Sequence, residues 1–176
     1  MLYHASNIEG LERLTPHIST HGKPYVYAIR SRLMAILFGT PKDDFDILID
    51  SNCGKAILYE CYPLALEKIY SGKSCSLYTV EEENFQNGLT GWDEELVCST
   101  PVAVISEEKI DDIYSEILRA TKIGDCEIHF YEQSEDYLSF LRDELQERIV
   151  AFGIDEKYRN KDIRFIKYHN QLLEEK

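Results

Sequence analysis

The stretch Tyr25-Val26-Tyr27-Ala28, with Ser31 and the run from Leu33 through Ile36 and Leu37 to Gly39 behind it, decides how this chain reads. Tyr and Val favour a strand, Ser31 is a helix-capping type and Gly39 is a stop, so the segment predicts a strand, a short apolar helix and an end. Before it, Leu2-Tyr3-His4 predicts a short strand. Ser6-x-x-Glu9 with Ile8, Leu11 and Leu14 predicts a capped turn weakened by Gly10 and ended by Pro16. A polar loop, residues 17–24, joins the two.

After it, Ala56 to Tyr62, Ser76 to Val80, Leu96 to Cys98 and Val102 to Ile105 read as strands separated by Asn, Gly, Ser and Pro. Ser106, followed by Glu107 and Glu108, reads as the cap of a helix that carries Ile110, Ile113, Tyr114, Ile117 and Leu118 and stops near Gly124. Residues 127–131 predict a last strand. Ser134 caps a helix bearing Leu138, Leu141, Leu145 and Ile149 up to Gly153, and residues 158–173 carry Ile163, Ile166 and Leu173 at helical spacing. Strands first and helices last is an α+β pattern rather than βαβ alternation, and without repeats or linkers one continuous domain is expected.

The 176 residues are 44% hydrophobic and 11% aromatic, too rich in core formers for intrinsic disorder. The formal net charge is −13 and is unevenly placed: residues 1–80 hold 8 basic and 8 acidic side chains, residues 81–176 hold 11 and 24. Such acidity repels phosphate backbones, so a nucleic-acid partner is not expected. The longest apolar run, Leu33 to Phe38, is far short of the ~20 residues a bilayer requires. The first residues carry no leader pattern either, and the expectation is a cytoplasmic protein with no membrane span.

Cys53, Cys61, Cys75, Cys98 and Cys126 are odd in number and widely spaced, which fits neither a disulfide framework nor zinc doublets and predicts reduced thiols. His17 and His21 are spaced like metal ligands on a helix, but Pro16 and Gly22 argue against a helix there, so no metal is expected. The glycine fingerprints of Rossmann and P-loop nucleotide sites are absent. Lys157, Arg159, Lys161, Arg164 and Lys167 make the last segment locally basic, and pairing with acidic helices of the same chain or solvation, rather than RNA binding, is expected.

Three segments, in order, resemble the signatures of the ADP-ribosyltransferase-like superfamily. Leu2-Tyr3-His4-Ala5-Ser6 is similar to its first-strand pattern, with Ala5 where Gly is usual. Tyr25-Val26-Tyr27-Ala28 running into Ser31 to Phe38 is similar to the second, and Glu95-Leu96-Val97-Cys98 to the third, a Glu that opens a strand. The resemblance is to the His-Tyr-Glu group of bacterial rifampin ADP-ribosyltransferases and poly(ADP-ribose) polymerases, and more distantly to tRNA 2′-phosphotransferases. It implies an α+β fold with a split, antiparallel-rich sheet and flanking helices over residues 1–124. Residues 125–176 would be a helical C-terminal extension packed on the same domain.

The implied activity is transfer of ADP-ribose from NAD, as substrate, to an unknown acceptor, protein or small molecule. Breaking the nicotinamide bond builds positive charge on the ribose, and the resemblance implies that Glu95 stabilises it. It implies that His4 donates a hydrogen bond to a ribose while the backbone at Ala5, with Ser6, holds the nicotinamide amide. A tyrosine stacks on the nicotinamide ring. A gapless match puts Val26 at that position, with Tyr25 and Tyr27 on the other face of the strand, whereas a bulge or shift would bring Tyr27 there. Lys23, in the loop that also holds Ser19, Thr20 and His21, and Arg30 and Arg32 beyond it, are the expected phosphate-side groups. Two other expectations stay open: a catalytically inactive binding module of the same fold, and an RNA 2′-phosphotransferase.

Overall fold

A computed structural model describes residues 1–18, 22–43, 45–152 and 161–169. Among them the chain forms a mixed α+β structure with two sheets. The larger runs in the order β2-β10-β7-β1-β4-β9-β8. Its strands are β1 (Leu2–Ser6), β2 (Arg13–Leu14), β4 (Pro24–Ile29), β7 (Cys75–Val80), β8 (Gln86–Asn87), β9 (Glu95–Cys98) and β10 (Val102–Ile110). β3 (His17–Ile18) pairs with β4 off this path, and all of these pairings are antiparallel.

The smaller sheet has the order β11-β6-β5, from β5 (Ile47–Asn52), β6 (Lys55–Glu60) and β11 (Cys126–His129). β5 and β6 form a hairpin whose central residues Cys53 and Gly54 have φ of 51° and 80°, the two positive values that a type I′ turn demands. β11 lies parallel to β6, pairing Cys126 with Ala56 and His129 with Tyr59. Residues beyond 125 thus contribute a sheet strand as well as helices.

The helix foreseen behind Tyr25 to Ala28 is α1 (Arg32–Leu37), and the Ser31 side chain accepts from the Met34 N–H as its cap. Leu33 through Leu37 are all buried, so this helix is apolar all round and lies inside the main core rather than on it. Gly39 ends it where a side chain is impossible, since a Cβ would stand 2.5 Å from the Cys75 Sγ. The other helices are α2 (Ala65–Tyr70), α3 (Ile113–Ile123), α4 (Glu135–Phe152) and α5 (Ile163–Tyr168). The main core joins α1, α2, α3, both sheets and, through Tyr137 and Leu141, α4. A second core of Leu2, Leu14, Val26, Ala28, Tyr78, Val80, Leu96 and Cys98 covers the opposite face of the large sheet.

Two expectations shift, and two elements were not foreseen. Ser106 caps no helix: β10 continues to Ile110, and the cap of α3 is Asp112, which accepts from the Ser115 N–H at 2.7 Å. The ladder to β7 and the Glu107 carboxylate, which accepts from the Ser76 hydroxyl at 2.5 Å and the Gly10 N–H at 3.1 Å, outweigh the local helical spacing. Ser6 opens no helical turn and instead accepts from the Ile8 N–H at 3.1 Å. β5 and α2, six residues each, are too short to carry a periodicity that announces them.

The end of the chain is tied down through α5. Asp46, fully buried, accepts from the Tyr62 hydroxyl at 2.7 Å and from Arg164 Nη1 at 3.0 Å, while Arg164 Nη2 reaches Asp43 at 2.7 Å. Burial raises the Asp46 carboxyl above its usual range, against the opposing pull of the Asp43 N–H, Tyr62 and Arg164. Next to this network His169 is fully enclosed by the rings of Phe45, Phe165, Tyr62 and Tyr168, and burial depresses its imidazole to about 4. Arg164 therefore pairs within the chain, as expected of the basic segment; Lys157 and Arg159 lie outside the described residues.

Candidate functional site

β4 is the strand on which the foreseen residues meet. Its Ile29 end touches β1 through Tyr3↔Ile29, its Pro24 end pairs with β3 through His17↔Tyr25, and β9 runs along it from Val26↔Cys98 to Ile29↔Glu95. Residues directly opposite share a face, and alternation carries that face along each strand. Tyr25, Tyr27, Ile29, Val97 and Glu95 therefore lie on one face, with Glu95 diagonal to Tyr27 at roughly 7–8 Å between Cα atoms. Val26 lies on the other face, 1% exposed in the second core and opposite Cys98. The gapless position thus packs a core, and of the two alternatives the tyrosines are the residues that share a face with Glu95.

β1 and β4 share the register position Tyr3↔Ile29 and then part. The Tyr27 carbonyl, which a continued ladder would spend on β1, accepts instead from His4 Nδ1 at 2.7 Å. A carbonyl can only accept, so Nδ1 carries the hydrogen. Burial lowers the His4 pKa, partly offset by the bond to Tyr27 and reinforced by the nearby His17. The ring is neutral near pH 7, which leaves Nε2 as a lone-pair acceptor.

His17, considered above only as a metal ligand, stands edge-on to Tyr27 with ring centroids 6.0 Å apart, and Tyr25 stands edge-on to Tyr27 at 6.1 Å. A wall of aromatic rings results on the Glu95 face. The β3–β4 pairing that makes it, two residues long, leaves no mark in the sequence.

Glu95 opens β9 after a turn in which its N–H donates to the Trp92 carbonyl at 3.1 Å. Its neighbour Glu94 is directed to the small sheet, accepting from the Ser51 hydroxyl at 2.5 Å. Ala5 pairs with Leu77 and has no positive φ, so its position asks for none of glycine's special freedom. The Ser6 hydroxyl is engaged in its own turn. Lys23 is exposed just before β4, while Ser19, Thr20 and His21 lie outside the described residues.

The two arginines are committed elsewhere: Arg30 pairs with Glu82, and Arg32 bonds Glu108 at 2.5 Å and Glu116 at 2.8 Å. No group of three or more His, Cys, Asp or Glu among the described residues is arranged to hold a metal ion. All five cysteines are free thiols, four of them buried, and burial pushes Cys61 up to about 12 and Cys75 to about 11, which makes neither a nucleophile. A polar depression of about 280 Å³ between Asn7, Ser74, Cys75 and Lys109 lies on β7 and β10, away from Tyr27 and Glu95.

No helix among the described residues is long and apolar enough to cross a membrane. No protein-family model matches the chain, and no curated protein or solved structure matches it. Architecture and site together define a mixed α+β protein with a mostly antiparallel sheet, in which Tyr25 and Tyr27 of β4 lie between β1, which carries His4, and β9, which carries Glu95.

Proposed function

We propose that this chain binds NAD at the parting of β1 and β4 and transfers its ADP-ribose to an acceptor, as an ADP-ribosyltransferase-like enzyme of the His-Tyr-Glu type. The observation that carries this reading is what meets at Tyr27: His4, on the Tyr78 face by register, bonds the Tyr27 backbone carbonyl where β1 and β4 part, and Glu95 lies diagonal to Tyr27 on the other face. In this reading Tyr27, braced by Tyr25 and His17, offers its ring to nicotinamide. His4 Nε2 accepts from a ribose hydroxyl, and Glu95 faces the carbon on which positive charge grows as nicotinamide leaves. Ala5 and Ser6 supply backbone beside the ring, and Lys23 remains the basic group nearest the start of β4.

Arg30 and Arg32 are paired with glutamates, which leaves Lys23 for the phosphates of either ligand and weighs more against an RNA 2′-phosphotransferase, which needs several cations converging on one pocket. Calorimetry with NAD, followed by an assay of nicotinamide release, tests the proposal. Saturable binding with release that disappears in Glu95→Gln supports it; no binding at about 1 mM NAD overturns it. Binding without release, unaffected by Glu95→Gln, converts it to the inactive binding module.

A further inference from the structure

The small sheet ends in β11, and the outer side of that strand is open. Ala56 donates its N–H to the Asp125 carbonyl at 3.1 Å, which fixes the alternation of the parallel ladder. Residues 127 and 129 turn their backbone groups towards β6, and residue 128 turns both of its own away. The His129 carbonyl accepts from the Tyr137 hydroxyl and the Tyr131 N–H donates to Glu60, both at 3.1 Å, so residue 130 between them faces outward again. Among the described residues no hydrogen bond takes the backbone N–H or carbonyl of Ile128 or of Phe130.

The side chains along this edge are apolar where a protected edge carries charge or proline. Phe130 is 56% exposed, and Ile123, at the end of α3 just before β11, is 60% exposed. Ile128 packs against the main core, and alternation puts Phe130 on the same face. Glu127 is taken up by Lys55 at 2.9 Å and by His129 at 3.1 Å. The start of the strand is covered, Cys126 being 2% exposed, so an added strand has residues 128–130 to pair with.

We propose that β11 is the docking edge for a second copy of this chain, whose own β11 adds antiparallel about a two-fold axis at His129. Two small sheets then become one continuous sheet, an isologous contact that closes on itself. In this register Ile128 of each copy lies opposite Phe130 of the other, and each such pair exchanges both backbone hydrogen bonds. The exposed ring of one copy thereby covers the isoleucine of its counterpart. On the other face each Glu127 stands diagonal to the second copy's imidazole, a carboxylate beside a ring that can donate to it. An axis at Glu127 would set two carboxylates against each other, and an axis at Ile128 would aim Phe130 at the covered Cys126. Both copies carry a net charge of −13, so their contact forms against long-range repulsion and salt strengthens it. A basic partner on the same edge would be weakened by salt.

Sedimentation of the full chain between about 1 and 300 μM reads the mass, and hydrogen exchange reads the edge amides. The expected result is a rise from monomer to dimer, tightened about threefold or more between roughly 50 and 500 mM salt. The Ile128 and Phe130 amides should exchange at least about tenfold more slowly in the dimer. Phe130→Glu, at an exposed position, should keep the melting temperature and weaken association by at least about tenfold. A chain that stays monomeric throughout, edge amides whose exchange ignores concentration, or a dimer that Phe130→Glu leaves intact overturns the inference; the exchange measurement on the natural chain decides even where the variant folds poorly. A monomer whose Ile128 and Phe130 amides are protected only by an added extended basic peptide gives the edge to a different partner and overturns the second-copy assignment.

Discussion

At the parting of β1 and β4 a half-buried imidazole is held by one ring nitrogen on a backbone carbonyl, and its other nitrogen remains an acceptor. At the seat of α5 the fully buried Asp46 has a hydroxyl and a guanidinium on its oxygens, and Arg164 spreads over Asp43, Asp46 and Asp162. Both places bring polar groups into apolar surroundings, but Asp46 has partners on both carboxylate oxygens, whereas His4 spends one ring nitrogen on a carbonyl. A saturated network holds two segments together. A histidine with one ring nitrogen held by a carbonyl and the other left as an acceptor is what a ligand can complete.

The sharpest test of that contrast is Glu95→Gln, expected to lower nicotinamide release by roughly 100- to 1,000-fold, about 3–4 kcal/mol of barrier, with little change in NAD affinity or melting temperature. Asp46→Ala should behave in the opposite way. Removing the carboxylate strands the Tyr62 hydroxyl and the Arg164 guanidinium and should cost about 3 kcal/mol, a fall of roughly 6–12 °C in Tm, with NAD affinity intact. If Asp46→Ala instead abolished NAD binding while leaving Tm unchanged, the two regions would not be separable as drawn.

His169 makes the second region sensitive to acid. Its folded pKa of about 4 lies below the unfolded value of about 6.5, so stability is complete above pH 7. As pH falls below 6.5 the unfolded chain takes the proton first, and about 1.4 kcal/mol is lost per unit, roughly 3 kcal/mol by pH 4. His4, also depressed, adds a loss of the same sign. Urea midpoints measured from pH 7 to 5 should fall steeply in the natural chain and much less in His169→Phe; equal slopes would show that the cage does not hold a neutral ring. The smallest effect is expected from Ala5→Gly, at about 0.5–1 kcal/mol of stability and less than about twofold in NAD affinity, because residue 5 needs no positive φ. A large gain in affinity would mean that the methyl group does obstruct the ligand.

The fold was most legible where sequence and structure use the same local rule. Ser31 with Leu33 to Leu37 and Gly39 states cap, apolar helix and stop, and each residue serves as its type suggests. Ser106 misled because its helical spacing is real, but Ile110 is the last residue of a strand whose partner, β7, lies some thirty residues upstream. For the candidate site, the order of three motifs pointed to His4, Tyr27 and Glu95 as candidates, and strand register then put Tyr27 on the Glu95 face and Val26 on the other. His17, Trp92 and Ser51 were not, because their roles arise from a two-residue pairing, a turn and a cross-sheet hydrogen bond that no spacing encodes.

The parallel strand β11 also has a consequence for the order in which the molecule comes into being. β6 is translated and turned back on β5 early, through a two-residue loop, but its other edge has no strand to meet until residue 129 has been made. For the length of some seventy residues the nascent hairpin carries the apolar side chains of Ala56 and Leu58 beside an open row of amides and carbonyls, the arrangement that invites a second copy to add itself. A chain cut after Gly124 would keep His4, Tyr27 and Glu95 yet never acquire the strand that seals that edge, and it should precipitate where the full chain stays in solution.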